Sequence, residues 1–188
     1  IGGTFDPPHW GHLLLAEALR DQYSVEQILF IPANIPPHKQ DEEMSAPEHR
    51  CAMLQLVADE EDAFGADTRE IEREGVSYTI DTIREIKAEQ QLNSDDIGFL
   101  IGADNFLDLD TWKEADALVE ECRVVVARRP DYPLGEATRF TEQVEFLDFP
   151  QIEISSTMIR KRVEAGRSIR YLVLPKVEEY IRSHLLYR

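Results

Sequence analysis

The chain has 188 residues and 43% hydrophobic content, enough apolar material for one compact domain, and its two cysteines give no disulfide framework. A formal net charge of −17 argues against nucleic acid as the partner, because a polyphosphate strand needs a basic footprint. No apolar run approaches the roughly 18 residues of a membrane span and no signal-peptide pattern is present, so the expected setting is reducing and cytoplasmic, away from membranes.

Ile1 reads as the end of a strand whose earlier part precedes this numbering. The next stretch is Gly2-Gly3-Thr4-Phe5-Asp6-Pro7-Pro8-His9-Trp10-Gly11-His12. Two glycines allow a tight turn and close approach to a ligand, while the prolines keep the chain extended and defer the helix to about His9. His9 and His12 then share a face at a helix start, beside free backbone N–H groups and the positive end of the helix dipole, an arrangement suited to phosphate. A surface pair or a metal pair is also compatible with this spacing. A metal would want further ligands, and Cys51 and Cys122 are each isolated.

The first helix runs to about Gln22, and Gln27 to Pro32 reads as a buried parallel strand. Ala33 to Met44 is a loop in which Pro36-Pro37-His38-Lys39 presents an imidazole and an ammonium. Ser45-Ala46-Pro47-Glu48 has capping-box spacing ahead of a helix through Met53, Leu54 and Val57, read as structural. Phe64 to Glu72 reads as a weak third strand. Ser77-Tyr78-Thr79 opens a helix whose Ile80, Ile83 and Ile86 recur at helical spacing, with Ser77 and Thr79 as capping residues.

Asp96 to Asp104 is the clearest internal strand, ending in the small-residue turn Gly102-Ala103-Asp104. Trp112 follows in a polar turn. Arg123 to Ala127 is a buried strand leading into the basic turn Arg128-Arg129-Pro130; Pro133 to Glu142 reads as a loop or short helix, and Val144 to Leu147 as the last strand. In Ile154-Ser155-Ser156-Thr157-Met158-Ile159-Arg160, Ser and Thr cap a helix whose free amides also suit an anion, and Arg160 can offer a two-point contact to the same group. Gly166 should end that helix. Lys176 to Leu186 reads as a purely structural closing helix.

Alternating strands and helices, without repeats or a linker, predict one α/β domain over residues 1–188. It should be a three-layer, doubly wound parallel sheet of Rossmann type that binds ligands beyond the carboxyl ends of its strands. The fingerprint Gly-x-Gly-x-x-Gly is absent, which argues against a dehydrogenase. Charge is divided unevenly: residues 1–122 sum to −20 and residues 123–188 to +3. Anion contacts should therefore draw on the last third of the chain.

His9-Trp10-Gly11-His12 after Gly-Gly-Thr-Phe-Asp-Pro resembles the His-x-Gly-His signature of the nucleotidyltransferase superfamily. Together with Ala127-Arg128-Arg129-Pro130 and Ile154 to Arg160, it makes the chain similar to the bacterial nicotinate mononucleotide adenylyltransferases. The resemblance implies a Rossmann-like nucleotidyltransferase fold with His9, His12 and Arg160 as catalytic residues. It implies ATP and phosphate binding by Gly3, Thr4, Phe5, His38, Lys39, Gly102, Asp104, Arg128, Ser156 and Thr157. It further implies a nicotinate site of Ser77, Tyr78 and Thr79, with the pyridine ring on Trp112. The partners implied are ATP and nicotinate mononucleotide, with Mg²⁺ arriving on ATP and no protein metal ligand; a homo-oligomer is compatible with the sequence. Many relatives carry a second aromatic where this chain has Lys113, a departure that bears on how the ring is gripped. Two alternatives stay open: a pantetheine-phosphate adenylyltransferase, and a module that binds ATP without turnover.

Overall fold

The computed structural model describes residues 1–37, 44–128 and 138–188. His38, Lys39, Arg129, Pro130 and the first half of the expected loop or short helix at 133–142 lie outside the described residues. In chain order the elements are β1 (Gly2–Gly3), α1 (Trp10–Tyr23), β2 (Ile28–Pro32), α2 (Pro47–Ala58), β3 (Phe64–Ala66), α3 (Arg69–Glu72) and α4 (Thr79–Gln90). They continue with β4 (Gly98–Gly102), α5 (Ala103–Leu107), α6 (Ala115–Glu121), β5 (Arg123–Ala127), β6 (Glu145–Leu147), α7 (Ser156–Glu164) and α8 (Pro175–Ser183).

Every named strand pair is parallel, in the orders β1-β2-β3 and β4-β5-β6. The two halves adjoin at β1 and β4, where a Cβ on Gly2 would meet the Phe99 ring at 3.5 Å. This is the junction between the two windings, and open parallel sheets bind their ligands beyond the strand ends at such a place. The side-chain period of two explains the layers. Leu100, Val125 and Ala127 pack with α1, α2, α7 and α8 on one face, whereas Ile101, Val124 and Val126 pack with α4, α5 and α6 on the other. Each fully buried Val, Leu or Ile contributes roughly 1.5–3 kcal/mol, so both faces must be covered. Among the described residues no helix is long and apolar enough to cross a membrane.

Several boundaries differ from expectation for local reasons. The third strand stops at Ala66, because Asp67 turns the chain by accepting hydrogen bonds from the Arg69 backbone N–H (3.0 Å) and Nε (2.8 Å), which starts α3. Ser45 is not a cap: proline occupies the first turn of α2, Ala46 is the N-cap, and the Ser45 N–H donates to the Asp6 carboxylate at 3.0 Å. Tyr78 caps α4, and the Ser77 hydroxyl accepts from the Asn34 N–H at 2.9 Å. The closing helix ends at Ser183, earlier than Leu186.

Cys122 ends α6 with its Sγ donating to the Leu118 carbonyl at 3.3 Å, and burial pushes its pKa up to about 12. Because the thiolate is the reactive form, native protein treated with iodoacetamide at about pH 8 should keep Cys122 unmodified until it is denatured. Peptide mass spectrometry before and after unfolding checks this. Rapid labelling of Cys122 in the native state would contradict it.

Candidate active site

The turn between β1 and α1 is held in an unusual backbone shape. Phe5 has φ +50° although it is not glycine, and it persists because its ring is fully buried, edge-on to His12 at 4.9 Å and to Phe30 at 5.9 Å. His9 is the N-cap of α1, and its backbone N–H donates to His12 Nδ1 at 3.1 Å. A backbone N–H can only donate, so Nδ1 carries a lone pair and the imidazole hydrogen sits on Nε2. The two rings stack at 3.8 Å with an interplanar angle of 21°. Gly11 makes room for this: a Cβ there would lie 3.0 Å from the His9 ring. Glycine between the histidines is thus a steric requirement of the pair.

The amides at this helix start are less available than the sequence suggests. The Trp10 N–H donates to the Leu172 carbonyl at 3.1 Å and the His12 N–H to the His9 carbonyl at 2.9 Å. The imidazoles and the Gly11 amide therefore carry the donor function of α1.

The second phosphate-type signature is joined directly to this turn. Ser155 is the N-cap of α7, its hydroxyl accepting from the Met158 N–H at 3.2 Å, which leaves the first-turn amides of Ser156 and Thr157 for an anion. The Ser156 hydroxyl donates to the Pro7 carbonyl at 2.8 Å. Arg160 Nη1 donates to the Asp6 carbonyl at 2.8 Å, and its Nη2 lies 3.4 Å from the Thr157 hydroxyl. The guanidinium thus bridges both signatures before it meets any ligand, with the rest of its five N–H groups left over.

At the end of β4 the Asp104 carboxylate folds back over Gly102, so closely that a Cβ on residue 102 would lie 2.3 Å from Oδ1. Gly102 ends β4 and Asp104 follows it in α5, while Gly3 ends β1 and Thr4 follows it, so both pairs mark the carboxyl ends of the two strands that adjoin at the junction. Arg128 does not join them in its contacts. Its guanidinium lies 4.7 Å over the Phe146 ring and 3.5 Å from Asp148, on the β6 side.

The corner of Ser77, Tyr78 and Thr79 is tied to the segment that follows β2, through Asn34 and Ile35. Trp112 tilts against Phe99 at 6.1 Å. Lys113 pairs with both Asp81 oxygens at 2.9 Å and lies 4.8 Å over the Tyr78 ring, so it ties the Trp112 turn to the start of α4. The Ser77 N–H is committed to the Ile35 carbonyl at 3.0 Å, so the amides that α4 leaves for an anion are those of Thr79 and Ile80.

Arg50, Asp6 and Tyr187, none of them among the expected site residues, hold the site together. Arg50 is 1% exposed and donates to the carbonyls of Ala33 (2.6 Å), Thr4 (3.1 Å) and Ser45 (3.2 Å). Burial lowers its pKa while the nearby Asp6 charge opposes that shift. Asp6, also buried, accepts from the Ser45 N–H and from the Tyr187 hydroxyl at 2.6 Å. A signal for Arg50 was present: Arg50, Met53, Leu54 and Val57 share one helix face, and an arginine on an apolar stripe must find acceptors inside. Nothing near Tyr187 marked it.

The start of α7 and the histidine pair of α1 are thus joined at the turn after β1, an arrangement suited to a phosphate-bearing ligand, and the comparisons with known proteins make the chain a nucleotidyltransferase. Residues 1–162 match the cytidylyltransferase-like family. The chain is 39% identical over 196 residues to a probable nicotinate-nucleotide adenylyltransferase of Moorella thermoacetica, covering 100% of this chain and 90% of that one. It is 43% identical over 189 residues to the probable enzyme of the same name from Exiguobacterium sibiricum, covering 100% and 96%. The nicotinic acid mononucleotide adenylyltransferase of Plasmodium falciparum, solved with NaAD, shares the fold at a TM-score of 0.78 and 18% identity, over 99% of this chain and 94% of that one. The chain belongs to the nicotinate-nucleotide adenylyltransferase family.

Proposed function

We propose that the chain transfers the adenylyl group of ATP to nicotinate mononucleotide, giving nicotinate adenine dinucleotide and pyrophosphate, as a step of NAD biosynthesis in the cytoplasm. The observation that carries this is the joining of the two signatures, Ser156 to Pro7 and Arg160 to Asp6. The mononucleotide's 5′-phosphate is already an anion and needs no general base. Its oxygen attacks the α-phosphorus in line, the new P–O bond forms, and the bond to the pyrophosphate oxygen breaks with both electrons leaving on pyrophosphate. The protein's work is positioning and charge stabilisation by His9, His12, the start of α7 and Arg160, with Gly3, Thr4 and Phe5 shaping the turn and Asp104 accepting from ribose hydroxyls. Mg²⁺ would arrive on ATP as part of the substrate and neutralise part of the triphosphate charge.

Pyrophosphate release from ATP with nicotinate mononucleotide tests the reaction, and its absence would sink it. Comparison with nicotinamide mononucleotide tests the site. An amide presented to the Thr79 and Ile80 N–H groups turns its own NH₂ toward one donor, a mismatch of roughly 1–3 kcal/mol. The acid should therefore be preferred at least about 10-fold in kcat/KM. Trp112→Ala should weaken both substrates alike, since ring stacking does not distinguish acid from amide. Equal kcat/KM for the two in the wild type would overturn the assignment of this corner.

Arg160→Lys keeps the charge but loses the planar fork that spans Asp6 and the phosphate, so kcat/KM for ATP should fall about 10-fold or more. Steady-state kinetics with varied ATP check this; unchanged kinetics would reduce Arg160 to a point charge.

A further inference from the structure

Asp6 is the hub of the site turn. Its main-chain carbonyl accepts from Arg160, and its two carboxylate oxygens accept separately, Oδ2 from the Ser45 N–H at 3.0 Å and Oδ1 from the Tyr187 hydroxyl at 2.6 Å. Tyr187 comes from the far side of α8. The chain reverses there through Leu185 at φ +54° and Tyr187 at φ +62°, left-handed conformations that non-glycine residues keep only where surrounding contacts fix them. Leu186 and Tyr187 pack on the core that contains Phe5, α1 and α8. The phenol must be the donor, because an ionised carboxylate only accepts. Burial and the Asp6 charge both raise its pKa, so the hydrogen stays in place at any working pH.

We infer that Tyr187 is a positioning residue for adenylyl transfer: through Asp6 it fixes the turn that carries His9 and His12 and the carbonyl that orients Arg160. This rests on the reaction proposed above. The ring packing is separable from the hydrogen bond, since Tyr187→Phe removes only the hydroxyl.

The test has two arms on the full chain. In the first, amide hydrogen exchange is followed over residues 2–12 in the wild type and in Tyr187→Phe. The variant should exchange several-fold faster there, roughly 5- to 20-fold, with a melting temperature close to that of the wild type. The second arm measures adenylyl transfer. Tyr187→Phe should lower kcat by a similar factor, about 5- to 20-fold, with KM for both substrates within about 2-fold. In an Asp6→Ala background, where the acceptor is already gone, Tyr187→Phe should add no further loss, because the hydroxyl acts through that carboxylate. Unchanged exchange, unchanged kcat, or additive losses in the double variant would each overturn the inference. A wild type with no adenylyl transfer would defeat the proposed reaction instead, and the exchange arm would still decide whether Tyr187 holds the turn.

Discussion

His12→Ala is expected to lower kcat by roughly 100-fold or more, the usual scale for losing a donor aimed at charge that grows in the transition state. The size follows from how the ring is prepared. His12 Nδ1 is occupied by the His9 N–H and the ring lies between Phe5 and His9, so Nε2–H is a donor with a fixed direction. A donor already aligned costs no reorganisation as the reaction proceeds, which is why its removal should appear in kcat more than in KM. The alanine variant should fold, since α1 keeps its buried Ala16 and Leu19. Steady-state kinetics of a variant with a wild-type circular dichroism spectrum are the check, and an unaltered kcat would remove His12 from the chemistry.

Arg50→Met should destabilise the fold by about 3–5 kcal/mol, the range seen when one partner of a buried charged network is removed. Methionine fills much of the volume, so the loss comes from the carbonyls of Thr4, Ala33 and Ser45, which lose their charged donor, and from Asp6, which loses the nearby positive charge. For a domain of this length that corresponds to a fall of roughly 6–20 °C in melting temperature, read by thermal denaturation. A drop of under about 2 °C would mean that water replaces the guanidinium, and that Arg50 is not what holds these three segments together.

What the sequence makes legible follows from where a pattern has one dominant cause. The runs Gln27 to Pro32, Asp96 to Asp104 and Arg123 to Ala127 read as buried strands, and the structure pairs Ile28–Pro32, Gly98–Gly102 and Arg123–Ala127 in parallel ladders, with Asp104 falling in α5 instead of the strand. The isoleucines of α4 are buried as their spacing requires. The glycine-rich turn and the hydroxyl-rich start of α7 suit an anion, although such turns and caps also serve helix starts that bind nothing. Hydroxyls read as caps are harder, because a serine beside a helix start has several acceptors and donors in reach. Ser77 goes to Asn34 and Ser156 to Pro7, choices set by tertiary neighbours 43 and 149 residues away. The short helices α3, α5 and α6 were not legible, since four to seven residues hold too little periodicity. Arg50 and Tyr187 illustrate the general limit: a polar group that serves other segments leaves its explanation in those segments.

The bonds that complete the phosphate turn join residues 149, 154 and 181 positions apart. Closing loops of that length costs chain entropy, which the packed sheets and helices between them offset. The turn that carries His9 and His12 is thus held by residues from both extremes of the chain, and loss of the segment after α8 would loosen Asp6 without removing any residue of the turn itself.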